Sequence, residues 1–409
     1  MVTAVVVGFG SRGILYSKLL IENGGQINAV CDPDRIKLDV AERECGVSRE
    51  NQYLSDAAFF EKGKLADICM ITSPDRLHRR HAEFALKAGY DILLEKPIAC
   101  TEEDCQAIYN LAKKLGRQIS VCHVLRYAPF FRAIKDELCT DRYGKIVTVN
   151  LTENVGFLHQ AHSFVRGNWS VTEKSCPMIV AKCCHDLDLL SWIIGKRCKS
   201  VSSFGGLSYF VSRNAPENSA ERCLDCAVKE QCIYNAEKFY VTDRFDQGVT
   251  GWPVDVIAPD PTKEKVYQAL RTGPYGRCVY RCDNTAVDHQ VVNMEFEEGV
   301  TAHLTMTPFA MDAGRDIHVH CERGDILGTM EKGLLHCNIF GGERKTIRCD
   351  DAGYGHGGGD YFLIKDFIDI HSNKNALRLT DIGNSLQSHM MGFAAEKSRI
   401  NGGKVFTLD

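Results

Sequence analysis

Gly8-Phe9-Gly10-Ser11-Arg12-Gly13 follows the apolar run Thr3-Ala4-Val5-Val6-Val7 and precedes Ile14-Leu15-Tyr16-Ser17-Lys18-Leu19-Leu20. The first run reads as a buried strand and the second as a helix. Glycines between them permit a tight turn and let the backbone approach a pyrophosphate at the helix N-terminus. A GxGxxG alone is a weak signal; the strand before it and the helix after it make it a dinucleotide fingerprint. A second strand, Ile27-Asn28-Ala29-Val30-Cys31, ends at Asp32, about 20 residues past the glycines. A carboxylate there accepts hydrogen bonds from the adenosine ribose hydroxyls and repels a 2′-phosphate, so NAD is expected ahead of NADP. Arg35 stands near enough to keep NADP open, and Asp32 also suits the start of an Asp32-Pro33-Asp34 turn.

The alternation continues outward. A helical segment spans 35–45, and the strand Asp67-Ile68-Cys69-Met70-Ile71-Thr72 leads into Ser73-Pro74-Asp75, where serine and proline suit a helix start. The next strand, Asp91-Ile92-Leu93-Leu94, ends at Glu95-Lys96-Pro97. It delivers a lysine to the sheet edge where ligands bind in open α/β folds. Thr101-Glu102-Glu103-Asp104 opens a helix with acids in its first turn, and Gln118-Ile119-Ser120-Val121-Cys122 is a further strand. Residues 1–123 therefore read as a parallel, doubly wound α/β domain. From 124 to 409 the pattern changes to alternating runs at 145–152, 287–296, 300–307, 316–321 and 334–339, with an apolar helix near 186–194. That is an α+β domain on a large, mainly antiparallel open sheet, a kind that often keeps one face free for another subunit. Residues 215–282 are the least regular, with Pro, Cys and charge intermixed.

At 409 residues the chain is long enough for two domains. Its formal net charge of −4 offers no basic surface for nucleic acid. No apolar stretch approaches the roughly 20 residues that span a bilayer. The N-terminus runs directly into a strand with no signal peptide, so a soluble, cytoplasmic enzyme is expected. The 19 cysteines are then expected to be reduced thiols or metal ligands rather than a disulfide framework.

On Gly8 to Gly13, Thr72-Ser73-Pro74 with His78, Glu95-Lys96-Pro97, His123 to Tyr127, and His185-Asp186-Leu187-Asp188, the chain resembles the glucose–fructose oxidoreductase / inositol dehydrogenase family, Gfo/Idh/MocA. The resemblance covers essentially the whole length. It implies a Rossmann domain followed by an α/β domain with a large open sheet, dimers or tetramers through that sheet, and oxidation or reduction of sugars, glycosides or cyclitols. It implies cofactor contacts from Gly8, Gly10, Ser11, Arg12, Gly13, Asp32, Ser73, Pro74, His78, Glu95, Lys96 and Pro97. It also implies His185 as the acid/base, a role suited to a group that titrates near neutral pH, with Lys96 on the same substrate oxygen. The family pattern has an aspartate four residues before this histidine; here that position is Ala181, with Lys182 next to it. Two alternatives stay open: a redox-neutral glycoside cleavage through transient oxidation, and a non-enzymatic dinucleotide sensor.

Further polar groups are candidates for a substrate pocket. His123, Arg126 and Tyr127 follow the last Rossmann strand, where Arg126 and Tyr127 can bind sugar hydroxyls or a carboxylate. His162, Arg166, Asn168 and Trp169 combine aromatic and polar groups of the kind that hold a sugar; Trp169 suits the core equally well. Lys182 and His356, the latter opening the glycine loop 356–359, complete the set, although a plain helix-start loop also fits His356. Cys223-x2-Cys226-x5-Cys232 and Cys278-x3-Cys282 lie in a polar segment with little apolar packing. A structural thiolate site is expected there, on Cys223, Cys226, Cys232 and Cys282 with Cys278 as the alternate. Zinc is the first choice and an iron–sulfur cluster the second; ordinary packing thiols are the alternative.

Overall fold

In the computed structural model, residues 1–350, 353, 355–372 and 376–408 are described. Six parallel strands form the first sheet: β1 (Thr3–Val7), β2 (Gln26–Cys31), β3 (Gln52–Tyr53), β4 (Ile68–Ile71), β5 (Asp91–Leu94) and β6 (Ile119–Val121). Their order is β3-β2-β1-β4-β5-β6, the doubly wound arrangement. Val5, Val6, Ile68, Met70, Leu93 and Leu94 are fully buried. Strands covered on both faces by helices read as unbroken apolar runs. Local chemistry sets the helix ends: the Thr101 side chain accepts from the Asp104 amide at the start of Glu102–Leu115, and Gly116 ends it in the left-handed region.

The second sheet has nine strands: β7 (Ile146–Asn154), β8 (Cys198–Gly206), β9 (His289–Phe296), β10 (Thr301–Thr307), β11 (Gly314–Cys321), β12 (Gly324–Thr329), β13 (Leu334–Ile339), β14 (Arg344–Arg348) and β15 (Phe406–Thr407). The order is β14-β13-β12-β11-β7-β10-β9-β8-β15, antiparallel throughout except for the β7/β10 pair. Period-2 alternation buries Val149 and Leu151 on β7, Val292, Met294 and Phe296 on β9, and Ala302, Leu304 and Met306 on β10. Helices Cys184–Ile194 and Ile382–Ile400 cover that face. The other face carries Asn150, Asn293, His303, His318 and His320.

Helix Ile382–Ile400 returns to the first domain: the Ile98 amide donates to His389 Nε2 at 2.9 Å, and the Val121 amide donates to the Thr380 carbonyl at 2.8 Å. The irregular segment is better packed than its composition implies. Phe239, Tyr240, Val254, Val266 and Leu270 form one small apolar cluster there, and Phe210, Tyr234, Val279 and Tyr280 form another. This corrects the expectation of a region poor in apolar packing: aromatic and aliphatic residues spaced too irregularly for either period meet through short helical turns.

Candidate active site

The fingerprint turn lies at the carboxyl edge of the parallel sheet, between β1 and the loop after β4. Gly8 has φ +92°, and a Cβ there would come within 2.6 Å of the Ser73 backbone. A Cβ on Gly13 would strike the Gly8 carbonyl, whereas one on Gly10 would meet nothing within 4 Å. The helix Ser11–Glu22 thus begins beside open space, and its N-cap Gly10 supplies no side-chain cap. Unpaired amides at a helix N-terminus facing open space fit a pyrophosphate. Asp32, 3% exposed, accepts from the Phe9 amide at 2.7 Å and from the Asp34 amide at 2.9 Å, with Lys37 at 3.6 Å. Arg35 pairs instead with Asp39. His78 is fully buried; its Nδ1 lies 2.7 Å from the Pro97 carbonyl and its Nε2 2.9 Å from the Ser73 carbonyl, so it ties the β4 and β5 edge loops together.

Three predicted cofactor residues, Ser11, Arg12 and Glu95, are engaged elsewhere in this structure. Arg12 donates to both Asp360 oxygens, at 3.2 and 3.3 Å, and lies 3.3 Å from the His356 ring nitrogens. His356 Nδ1 is 2.9 Å from Asp360, while the Tyr16 hydroxyl donates to Glu95 at 2.8 Å. Arg12, Tyr16, Glu95, His356 and Asp360 therefore join the fingerprint helix to the glycine loop of the second domain. Ser11 Oγ donates to Asp255 Oδ2 at 3.3 Å, which brings the irregular segment over the same helix start.

Lys96 and His185 come together at this edge. Lys96 Nζ donates to the Ala181 carbonyl at 2.9 Å. His185 is 4% exposed, and its Nδ1 is buried with no hydrogen-bond partner. Burial, reinforced by the Lys96 ammonium, holds the His185 pKa well below the usual histidine value. The ring is therefore neutral near pH 7, the state a general base requires. Its ring packs 5.7 Å from both His123 and His356.

Behind it stands a buried ionic chain that the sequence reading did not find. Lys182 Nζ lies 3.1 Å from Glu153 Oε1, Arg315 Nη2 lies 2.7 Å from Glu153 Oε2, and Arg315 Nε donates to Asp186 at 2.8 Å. His159 was also missed. Burial, then Lys182, depresses its pKa well below the usual value. With His162 and Trp252 it forms an aromatic wall, the Trp252 ring lying 5.2 Å from His159 and 5.4 Å from His162.

The remaining predicted substrate residues divide. His162 belongs to that wall, with Nδ1 2.7 Å from the Tyr240 hydroxyl and its ring stacked on Tyr275 at 4.9 Å. Trp169 Nε1 donates to Asp75 at 2.7 Å, bridging to the loop after β4, and Asn168 is exposed. Arg126 makes a two-bond pair with Asp188, at 2.6 and 2.7 Å, and Tyr127 donates to Asp366 at 2.7 Å; both are buried. His123 is 1% exposed; neither ring nitrogen makes a hydrogen bond, and Nε2 lies 3.7 Å from Asp188 Oδ1. Arg166 donates to the carbonyls of Arg277 at 2.7 Å and Tyr234 at 2.8 Å. Thus Arg126, Tyr127 and Arg166, expected at the substrate, spend their polar atoms on holding neighbouring segments.

All 19 cysteines are free thiols. Cys223, Cys226, Cys232 and Cys278 line one cavity, so the fourth sulfur there is the alternate, Cys278, rather than Cys282, whose Sγ turns to the Cys278 carbonyl. Among the described residues, three metal-ligating atoms converge within 4.8 Å only at His318, His320 and Asp325 on the open sheet face. The cysteine sulfurs stand wider than a single ion requires.

Residues 2–123 match the model of an oxidoreductase family with an NAD-binding Rossmann fold, and residues 135–406 match that family's C-terminal alpha/beta domain. The chain is 23% identical to the putative oxidoreductase YteT of Bacillus subtilis, across 93% of this chain and 91% of that protein. It is 24% identical to 1-carboxy-3-chloro-3,4-dihydroxycyclohexa-1,5-diene dehydrogenase of Comamonas testosteroni, across 82% of each. Levoglucosan dehydrogenase, solved with NADH and levoglucosan, superposes with a TM-score of 0.73 at 14% identity, over 99% of both chains. The WlbA dehydrogenase from Bordetella pertussis, solved with NADH and UDP-GlcNAcA, does so with a TM-score of 0.66 at 16% identity, over 100% of this chain and 99% of that one. These superpositions establish the fold. With both family models matched along nearly the full length, the chain belongs to the Gfo/Idh/MocA family of NAD-binding oxidoreductases.

Proposed function

We propose that the chain moves a hydride between NAD and a secondary hydroxyl or ketone of a sugar, glycoside or cyclitol. The observation that carries this reading is a neutral, buried His185 beside the Lys96 ammonium at the edge where the fingerprint helix begins. The relatives named as dehydrogenases of a dihydroxylated ring and of inositol support the substrate class.

Bound NAD supplies the hydride acceptor. Gly8 to Gly13 would hold its pyrophosphate and Asp32 its ribose. Within the pocket, His185 takes the hydroxyl proton during oxidation and returns it during reduction. Lys96 donates to the same oxygen and stabilises the charge that develops there. Its present acceptor, the Ala181 carbonyl, keeps the ammonium aimed. His159, His162 and Trp252 supply an aromatic wall against a sugar face, with Asn168, Lys182 and His356 as polar contacts. The uncovered face of the nine-stranded sheet is the proposed contact of a homodimer or homotetramer; light scattering on purified protein tests it.

The test is a panel of polyols, glycosides and cyclitols with NAD+ in excess, followed by nicotinamide absorbance. One NADH per oxidised substrate supports the proposal. Product formed with trace NAD and no net NADH would replace it with the redox-neutral reading. No turnover with any compound despite tight NAD binding would favour a sensor.

A further inference from the structure

We propose that Cys223, Cys226, Cys232 and Cys278 bind an iron–sulfur cluster. The four thiols line one cavity of about 20 Å³, shared with Arg166, Tyr234 and Tyr280. Two segments distant in sequence build it. One-turn helices at Cys223–Asp225 and Lys229–Gln231 end on Cys226 and Cys232 respectively. Cys278 arrives from the other side, its amide donating to the Glu221 carbonyl at 2.9 Å beside an isolated bridge between Arg222 and Arg277. Four thiols facing one void is an odd way to fill space in a segment that elsewhere packs with aromatic rings.

Spacing decides the ligand. A single zinc holds each sulfur at about 2.3 Å in a tetrahedron, which draws the four to within about 3.8 Å of one another. Among the described residues no three cysteine sulfurs lie mutually within 4.8 Å. An iron–sulfur cluster distributes its thiolates over several irons and so spans a wider set. Arg166 Nη2 donates to Cys223 Sγ at 3.3 Å, placing a cation where a thiolate and an anionic cluster want one. Each thiol gives its proton to solvent as its sulfur–iron bond forms.

The cluster also sets the substrate wall. Arg166 ends the turn Ala161–Arg166, which carries His162, and the same guanidinium grips the carbonyls of Arg277 and Tyr234 on the two cysteine segments. Cluster loss frees both segments and loosens the His162–Tyr240–Tyr275 contact. That consequence for substrate rests on the oxidoreductase reading; the metal content does not.

Anaerobic purification, followed by reconstitution with iron salts, sulfide and dithiothreitol, tests the site. Iron and acid-labile sulfide in a 1:1 ratio, a brown chromophore and a cluster Mössbauer spectrum are expected. Cys226→Ser should lose the chromophore and Cys282→Ser should keep it. Where substrate turnover is measurable, Cys226→Ser should raise KM for substrate and leave NAD affinity unchanged. The Mössbauer spectrum of the unmodified protein decides even if Cys226→Ser misfolds. One zinc per chain without iron, a disulfide among the four cysteines, or no metal after reconstitution would overturn the proposal.

Discussion

Glu153 on β7 and Arg315 on β11 stand directly opposite each other in the sheet register, and their side chains pair at 2.7 Å on the face that packs against the helices. Charged residues sit at inward positions of both strands, where the neighbours are Leu151 and Ile317. The ionic chain they form continues to Lys182 on one side and Asp186 on the other. Asp186 follows His185 directly, so this chain of ion pairs fixes the start of the helix that presents the base. The family's aspartate position is Ala181 in this chain. A buried carboxylate is still supplied nearby, from a strand instead of from the helix lead-in.

Removing one member should be costly. Glu153→Gln leaves Lys182 and Arg315 facing Asp186 alone, and breaking a buried ion pair typically costs about 3–5 kcal/mol. Urea unfolding should show a loss of that size. A change under about 1 kcal/mol would mean that these ion pairs are solvated and contribute as a surface pair does.

Lys96→Ala and His185→Ala should each lower turnover by about 10²–10⁴-fold, the usual worth of a positioned acid/base. Affinity for NAD should shift much less, because neither side chain is needed to cradle the pyrophosphate. Steady-state kinetics and NAD titration separate the two effects. Near-wild-type turnover in His185→Ala would remove it from the mechanism.

Much of this arrangement was legible in the sequence. Ala4–Val7, Ile68–Ile71 and Ile92–Leu94 read as apolar runs in β1, β4 and β5, β2 and β6 stay mostly apolar around Asn28 and Ser120, and the fingerprint announced its own context. Other parts were not. β3 has two residues, and β8, with Ser200, Ser202, Ser203 and Gly205, lacks the apolar alternation that marks a strand. Helix Ile382–Ile400 is cut by Gly383 and Gly392, which blunts its pattern. Glu153 could have been found: counting by twos from Val149 and Leu151 puts it inside, and Arg315 follows in the same way from Val319 and Ile317. Arg126 shows the opposite failure. A cation after a Rossmann strand suits a substrate site, and only the tertiary fold reveals that Asp188 already occupies it.

Asp32 is expected to set cofactor preference. Its carboxylate is held by the Phe9 and Asp34 amides, and in the proposed ribose-binding role it would repel a 2′-phosphate. Asp32→Ala should narrow the preference for NAD over NADP, both by weakening ribose binding and by freeing Lys37 to meet a phosphate. The ratio of kcat/KM for the two cofactors measures it. Equal efficiency with both in the unmodified protein would contradict the assignment.

Stability should fall early on acidification, because several histidines are buried in neutral form. Burial is the largest cause in each case: it holds His123, His159 and His185 well below the ordinary value of 6.5, His162 down to about 4 and His389 down to about 3. The folded-state values lie below the unfolded one, so the stabilisation is fully present above about pH 6.5. Below that, the unfolded chain binds protons that the native state refuses, and each such histidine removes up to about 1.4 kcal/mol per pH unit. Calorimetry from about pH 8 to about pH 5 should show a flat Tm at first and a steep fall below about pH 6.5. The oxidation rate follows a different course. His185 keeps its base form as pH drops through the usual histidine range, so the acid limb of kcat/KM should lie below about 6.5 wherever the protein remains folded. A Tm that holds level to about pH 5 would show that these rings titrate as exposed histidines do, and the assignment of His185 as a buried neutral base would fall with it.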